Sequence, residues 1–378
     1  MKSADYFICN RCVMDSTAPS IQANTDGTCN FCNSFHDKEG KIVDSSGSTL
    51  NRWVTQIQRE GKGKQYDCVI GVSGGVDSTY TAYKAKELGL RPIAVHLDNG
   101  WNSQLAVKNI ENTLNKLDID LYTHVIDWNE FKDLQLSFLK ASIPGMEIPT
   151  DHAIYALLNK SAIKFGTRYI INGSNFRMEH IMDPAWSEMV GQMDWLLIKN
   201  IHKQFENSPL KTYPRMTRLD LYRTRLLNKH IVINLLDLIP FSKTEAMQTI
   251  QNELGWVYYG GKHYESIYTR FTQGYIQPIK FGFDKRRAHH SNLICMGEMS
   301  RNDALQNLQK SPYPNEAMLR EDKEFVIKKL DLDEESFEKI MKTPIKSYKD
   351  YKGYHNHKIH KFIYETALDL HLKRKRTT

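Results

Sequence analysis

The sequence predicts an α/β protein: a parallel sheet flanked by helices, preceded by a small four-cysteine lobe and followed by a mostly helical C-terminal region. Three observations carry this expectation. From about residue 66, apolar runs alternate with helix-like stretches at a spacing that implies parallel strands with helices on both faces. Four of the six cysteines fall in the first 32 residues as two Cys-x2-Cys pairs. After about residue 190 the pattern turns mostly helical. The expected boundaries are 1–40 for the cysteine lobe, 50–190 for the sheet domain and 191–378 for the helical region, which completes the substrate site.

In the lobe, Cys9-x2-Cys12 is followed after 16 residues by Cys29-x2-Cys32. Each Cys-x2-Cys turn offers two thiolates to one ion, and two turns complete a tetrahedral shell. Asp26-Gly27 suits the tight turn that lets the two pairs face each other. A structural Zn2+ on Cys9, Cys12, Cys29 and Cys32 is the expectation, with an iron–sulfur cluster as the alternative. The opening Met1-Lys2-Ser3-Ala4-Asp5-Tyr6 carries no apolar signal segment, so a cytoplasmic chain is expected, which argues against disulfides.

Residues 37–49 read as a linker and 50–60 as a short helix. Strands are expected at 67–72, 92–97, 121–126 and 168–172, and helices at 77–88, 103–117, 129–141 and 151–165. Further helices fit 193–206 and 217–236, then one capped at Ser242 and ending at Gly255, with another helix start at 331–335. Cys68 and Cys295 stand alone and read as small core residues.

Between the first strand and the first helix of the sheet domain stand Ser73, Gly74, Gly75, Val76, Asp77 and Ser78. Paired glycines let the backbone approach an anion, and the N–H groups opening the next helix favour phosphate. The Gly-Lys-Ser/Thr ending of a Walker loop is missing. Ligands of such sheets bind beyond the carboxyl ends of the strands, where Asp98 and Gly173 also fall. Asp98 either touches the ligand or caps its own turn. Farther on, Gly261-Lys262-His263-Tyr264-Glu265-Ser266 and Lys285-Arg286-Arg287 gather cations and one carboxylate. Lys285, Arg286 and Arg287 are candidate pyrophosphate contacts, the alternative being a solvated basic loop.

The formal charge is +7, with Lys373-Arg374-Lys375-Arg376 near the end. That balance suits an anionic nucleotide, an acidic partner or nucleic acid, and composition does not choose among them. No apolar run approaches the roughly 18 residues of a membrane span.

The Ser73–Ser78 loop resembles the pyrophosphate-binding (PP) loop of the ATP pyrophosphatases, an adenine nucleotide alpha hydrolase-like fold that includes GMP synthetase and asparagine synthetase. Joined in order to Arg11-Cys12-Val13-Met14-Asp15, Asp26-Gly27-x-Cys29-x-x-Cys32, Gly261-Lys262-His263-x-Glu265-Ser266 and Phe281-Gly282-x-Asp284-Lys285-Arg286-Arg287, it is similar to the N-acetyl sugar amidotransferases of the WbpG and PseA type. That resemblance spans about 6 to 300 and is weakest after 310. It implies a synthase subunit that uses ATP and Mg2+ to convert an N-acetyl group of a UDP-type nucleotide sugar to an acetamidino group, in surface polysaccharide (lipopolysaccharide) biosynthesis. Catalysis would fall to Lys262, His263 and Glu265, with Glu265 orienting the acetamido group or ammonia. No glutaminase cysteine motif is present, so the resemblance implies a separate glutaminase similar to that of histidine biosynthesis. Two rival readings are a tRNA-thiolating enzyme, which would need Cys68 and Cys295 to meet, and a non-catalytic zinc- and nucleotide-binding scaffold. Nucleic acid and membrane are not the expected partners.

Overall fold

In the computed structural model, residues 6–44, 46–187, 189–206, 208–224 and 230–357 are described. The basic cluster at 373–376 lies outside them. Five parallel strands form one sheet in the order β3-β2-β1-β4-β5: β1 Cys68–Gly71, β2 Pro92–Asp98, β3 Leu121–Val125, β4 Tyr169–Asn172 and β5 Ile231–Asn234. The first four lie where the apolar runs predicted. The middle strands bury both faces, so their side chains alternate between two separate apolar layers. Val69, Ile93, Val95 and Ile170 pack on one side with Phe131, Phe138 and Leu157. Cys68, Ile70, Ala94 and Ile171 pack on the other with Ala82, Ile110 and Leu114.

Helices α1 Asn30–Ile42 and α2 Ser48–Glu60 precede the sheet; α3 Val76–Glu87, α4 Gln104–Leu117, α5 Trp128–Ala141 and α6 Ile148–Lys164 connect its strands. Their starts follow local chemistry: the Ser103 hydroxyl accepts from the Ala106 N–H and the Asp127 carboxylate from the Glu130 N–H. Beyond β4 come α7 Phe176–Glu179, α8 Pro184–Ser187, α9 Trp195–Phe205, α10 Arg218–Arg223 and α11 Lys243–Leu254. Then follow α12 Ile267–Phe271, a π-helical stretch Thr272–Phe281, α13 Arg286–Cys295, α14 Arg301–Gln309, α15 Glu316–Lys329 and α16 Glu334–Lys342.

Two expectations need correction. The segment 37–49 is not a linker throughout, because α1 continues to Ile42, held by the burial of Cys32 and Phe35 on its inner face. The helix expected over 217–236 is only α10, with 225–229 outside the described residues, and Ile231-Val232-Ile233 then adds to the sheet beside β4. Its three β-branched residues favour the extended backbone, and the free edge of β4 supplies the hydrogen bonds.

Because β2 lies on one side of β1 and β4 on the other, the winding direction reverses between β1 and β4. The crevice at such a switch point opens beyond the carboxyl ends of those two strands. The segments leaving it are residues 72–75 and 173–175.

Candidate functional site

A cavity of about 460 Å³ occupies that crevice. Its floor is the Ser73–Ser78 turn. Gly74 has φ +79°, and a Cβ there would lie 2.5 Å from the Ala106 carbonyl oxygen, so no side chain fits. Gly75 has ordinary backbone angles, and its open side faces the cavity, with the Ser73 hydroxyl, Glu265 Oε1 and Tyr259 hydroxyl 3.2–3.4 Å from where a Cβ would stand. The Ser73 and Ser78 hydroxyls lie 3.2 Å apart, and Ser78 Oγ accepts from the Ser73 N–H at 3.2 Å. Among the described residues no side chain caps the N-terminus of α3. Its N–H groups and dipole therefore point into the cavity, the arrangement that binds phosphate. Gly173 keeps the opposite edge low: a Cβ on it would lie 3.1 Å from the Ser78 nitrogen.

The second wall comes from residues nearly two hundred positions later. Trp256 Nε1 donates to the Gly74 carbonyl at 2.9 Å, and the Asn109 side chain holds both the N–H and the carbonyl of Val257 at 2.9 Å. Ser103 N–H donates to the Glu265 carbonyl at 2.8 Å, Ile267 N–H to the Trp101 carbonyl at 2.9 Å, and Asn102 bridges to Ser266. These bonds bring Lys262, His263 and Glu265 over the loop. His263 sits at φ +63°, an uncommon conformation for a side-chain-bearing residue, with its Nδ1 3.6 Å from Glu265 Oε1.

The cavity mixes both charge signs. At the loop end stand Asp77, Glu179 and Glu265 with Lys243, Lys262 and His263. Burial raises the Asp77 carboxyl against the pull of Lys262 and Lys243. Burial likewise raises Glu179. Burial also opposes ionisation of Glu265, but hydrogen bonding and charge from His263 outweigh it, leaving the group below the usual range. Asp77 Oδ1 and Glu265 Oε2 are buried with no hydrogen-bond partner among the described residues. Unpartnered hard oxygen donors beside a phosphate cradle fit Mg2+. Burial lowers Lys243 and drives His289, which meets the His263 ring edge-on, well below the ordinary histidine range.

At the other end are Glu147, the residue that precedes α6, and Thr150 and Asp151 of its first turn, facing Thr269, Gln273 and Lys285. Burial, then the charge of Glu147, pushes the Asp151 carboxyl up to about 7. Burial lowers Lys285. No sequence pattern marks Glu147, Asp151, Glu179 or Lys243: each is an ordinary polar residue of a helix or just before one, and only the fold turns it inward.

Three expected contacts lie elsewhere. Asp98 accepts the Gly100 N–H at 3.0 Å and so caps its own turn, the alternative weighed for it. Arg286 is held by Asp284 at 2.7 Å and by carbonyls of 307–311. Arg287 pairs with the fully buried Asp15 at 2.9 Å and donates to the Val13 carbonyl. None of the three lines the cavity. Both arginines begin α13 and point away from its inner face, so the basic run is split: Lys285 inward, Arg286 and Arg287 outward to other parts of the fold.

Arg287 reaches the four-cysteine lobe. There the sulfurs of Cys9, Cys12, Cys29 and Cys32 lie within 4.8 Å of one another, with separations of 3.6–3.7 Å for three of the pairs. Tetrahedral zinc with Zn–S near 2.3 Å requires sulfurs about 3.8 Å apart, whereas a disulfide requires about 2.05 Å. All four are free cysteines, completely buried. The Cys12 and Cys29 N–H groups point at Cys9 Sγ from 3.4 and 3.2 Å, and Arg301 donates to the Cys9 and Cys12 carbonyls. The donor set fits a structural Zn2+. The lobe packs on Phe176, Ile181 and Trp186 and on Phe283 and Ala288, which flank the cavity residues Glu179 and Lys285. Cys68 is buried in β1 and Cys295 packs against the lobe; neither lines the cavity.

Residues 265–365 match the family model described as LPS biosynthesis protein WbpG-like, C-terminal domain. The resemblance read from the motifs is borne out there, and it extends well past 310, where the motifs had thinned. No curated protein matches the chain. Similar solved structures include a predicted subunit of tRNA methyltransferase from Methanocaldococcus jannaschii, at 14% identity over 48% of this chain and 74% of that one. NMN synthetase from Francisella tularensis follows at 17% over 55% and 91%. NH3-dependent NAD synthetase from Campylobacter jejuni matches at 16% over 58% and 93%. Each superposes with a TM-score of 0.28, too low to carry an argument. Among the described residues no helix is long and apolar enough to cross a membrane.

Proposed function

We propose that the chain is the synthase subunit of an ATP-dependent amidotransferase, which converts an N-acetyl group of a nucleotide-activated sugar to an acetamidino group in surface polysaccharide biosynthesis. The observation that carries this reading is the shared cavity. The family-matched region contributes Glu265, Thr269, Gln273 and Lys285 to the same space that the Ser73–Ser78 loop opens into.

The chemistry follows from the parts. An amide carbon is a poor electrophile. Attack of its oxygen on the α-phosphorus of ATP gives an O-adenylated imidate and releases pyrophosphate. Ammonia then adds to that carbon, and the C–O bond breaks with AMP leaving as the dianion and the amidine as its cation. The loop N–H groups and the α3 dipole would hold the pyrophosphate, with Lys243 and Lys262 neutralising charge as it departs. Asp77, Glu179 and Glu265 would hold Mg2+, which supplies charge neutralisation on the phosphates. His263, fixed by its backbone conformation, would set the direction of Glu265. In this reading Glu265 serves the phosphate end and does not orient the acetamido group.

Free ammonia is scarce at neutral pH, and the resemblance supplies a separate glutaminase as its source. The test is to incubate UDP-linked N-acetylated sugars with ATP, Mg2+ and ammonium and to weigh the products. Exchange of oxygen for NH lowers the mass by about one unit, with AMP and pyrophosphate formed in equal amounts. Unaltered sugars with no AMP would refute the proposal.

A further inference from the structure

We propose that Asp151 is the proton acceptor for ammonia, at an acceptor end of the cavity built by Glu147, Asp151 and Lys285. The assignment rests on the amidotransferase reading above and names a group for its second step. Both ends of the cavity carry both charge signs, but they differ in what else they offer. The phosphate end offers N–H groups and lysines to anions, whereas the start of α6 presents two carboxylates one turn apart, a setting that attracts a cation.

The two carboxylates are not equivalent. Glu147 is anchored, accepting from the Thr269 hydroxyl at 2.5 Å and the Gln273 amide at 3.4 Å. Gln273 belongs to the π-helical stretch, a widened coil that often marks functional sites. Asp151 accepts from the Gln192 amide at 2.7 Å through Oδ2, so one side of its carboxylate is fixed while Oδ1 has no hydrogen-bond donor among the described residues. Lys285 reaches the same space with no hydrogen bond or ion pair on its ammonium among the described residues. Around Asp151 the charged groups are Glu147 just before the same helix, Lys285 ahead of α13 and Glu179 on α7. The net raised affinity for a proton matches a base working near neutral pH.

The step balances without a further reactant. Ammonium gives one proton to Asp151 Oδ1. The freed nitrogen lone pair forms the C–N bond to the imidate carbon. The C–O bond breaks, and its electron pair leaves with AMP. The proton on Asp151 is returned to solvent before the next turnover.

Asp151→Asn keeps the acceptor for Gln192 and removes the base. With a UDP-linked N-acetyl sugar that the wild type converts, the variant should form amidine from ammonium about a hundredfold more slowly or worse. Its sugar-dependent ATP–pyrophosphate exchange, which reads adenylation alone, should stay near wild type. Hydroxylamine, already neutral at pH 7, should restore product formation. Unchanged use of ammonium overturns the assignment, as does loss of exchange in a folded variant or failure of hydroxylamine to rescue. If the asparagine variant does not fold, Asp151→Ala with added formate replaces it, and absence of formate rescue overturns the assignment. A wild type with no sugar-dependent exchange overturns the amidotransferase reading and this step with it, a result distinct from the others.

Discussion

The two walls of the cavity are made of different materials. The floor at 73–78 works through main-chain N–H groups, hydroxyls and the space left by missing side chains. The facing wall at 258–285 works through charged side chains held by bonds to residues 101–109 and to Gly74. A backbone cradle tolerates changes in charge and fails on added volume. A side-chain wall tolerates small changes in volume and fails on lost charge. The mutations that separate the two are therefore of opposite kinds.

The largest effect is expected at Gly75. Its backbone angles suit any residue, and a Cβ there makes contacts no closer than 3.2 Å. Gly75→Val should fold with a near-normal melting temperature and lose ATP-to-AMP turnover altogether. Turnover at the wild-type rate would show that the loop does not hold phosphate. Gly74 cannot serve for this purpose, because a side chain there strains the backbone and collides with α4.

Next comes Glu265→Gln, which keeps the volume and removes the charge. We expect kcat to fall about a hundredfold at saturating ammonium, with KM for the sugar little changed. Titration with Mg2+ sharpens the comparison: higher Mg2+ should recover part of the rate if the carboxylate belongs to the phosphate end. A rise in KM alone would make Glu265 a uniform binding contact.

A smaller effect on turnover is expected from the lobe. Cys29→Ser should lower bound zinc from about one per chain and lower the melting temperature together. Activity should fall less than in Glu265→Gln, because the lobe only supports the segments carrying Glu179 and Lys285. Metal analysis that finds well-folded, zinc-free wild-type protein would remove the metal from the account.

The smallest effect on kcat is expected from Arg287→Ala. It removes the cation from the buried Asp15 carboxylate and leaves it only the neutral donors of Tyr6 and Thr17; breaking a buried pair typically costs about 3 kcal/mol of stability. The remaining folded enzyme should turn over normally at low temperature. A large loss of kcat in folded protein would return Arg287 to the site.

The same contrast explains what was readable in the chain. The floor is contiguous, and its glycines and hydroxyls could be recognised as a unit, as could the cysteine pairs with their fixed spacing. The three inner strands, β1, β2 and β4, announced themselves because burial on both faces demands unbroken apolar runs, and the half-exposed edge strand β3 through its β-branched and aromatic residues between turn signals. β5 did not: Ile231-Val232-Ile233 is too short for periodicity to separate strand from buried helix. In the facing wall, charge type gave Lys262, His263, Glu265 and Lys285 correctly as cavity residues, yet the same criterion swept in Arg286 and Arg287. Adjacent positions at the start of a helix point in different directions, and charge type alone does not encode direction. Glu147 and Asp151 carried no signal, since a carboxylate just before a helix or in its first turn is ordinary dipole chemistry.

The distance along the chain between the two walls also has a consequence for biosynthesis. Glu265 follows Ser78 by 265 − 78 = 187 residues. At a synthesis rate of about 5–20 residues per second, the ribosome takes roughly 10–40 s to cover that interval. Between residues 172 and 231 of it the nascent chain has the Ser73–Ser78 loop and four of the five strands, but the edge of β4 waits for residues 231–234 and the cavity has no second wall. The site is thus assembled late, by docking of a C-terminal segment onto a sheet already made. ATP should therefore protect the finished chain from proteolysis but give little protection to a ribosome-stalled chain ending near residue 230.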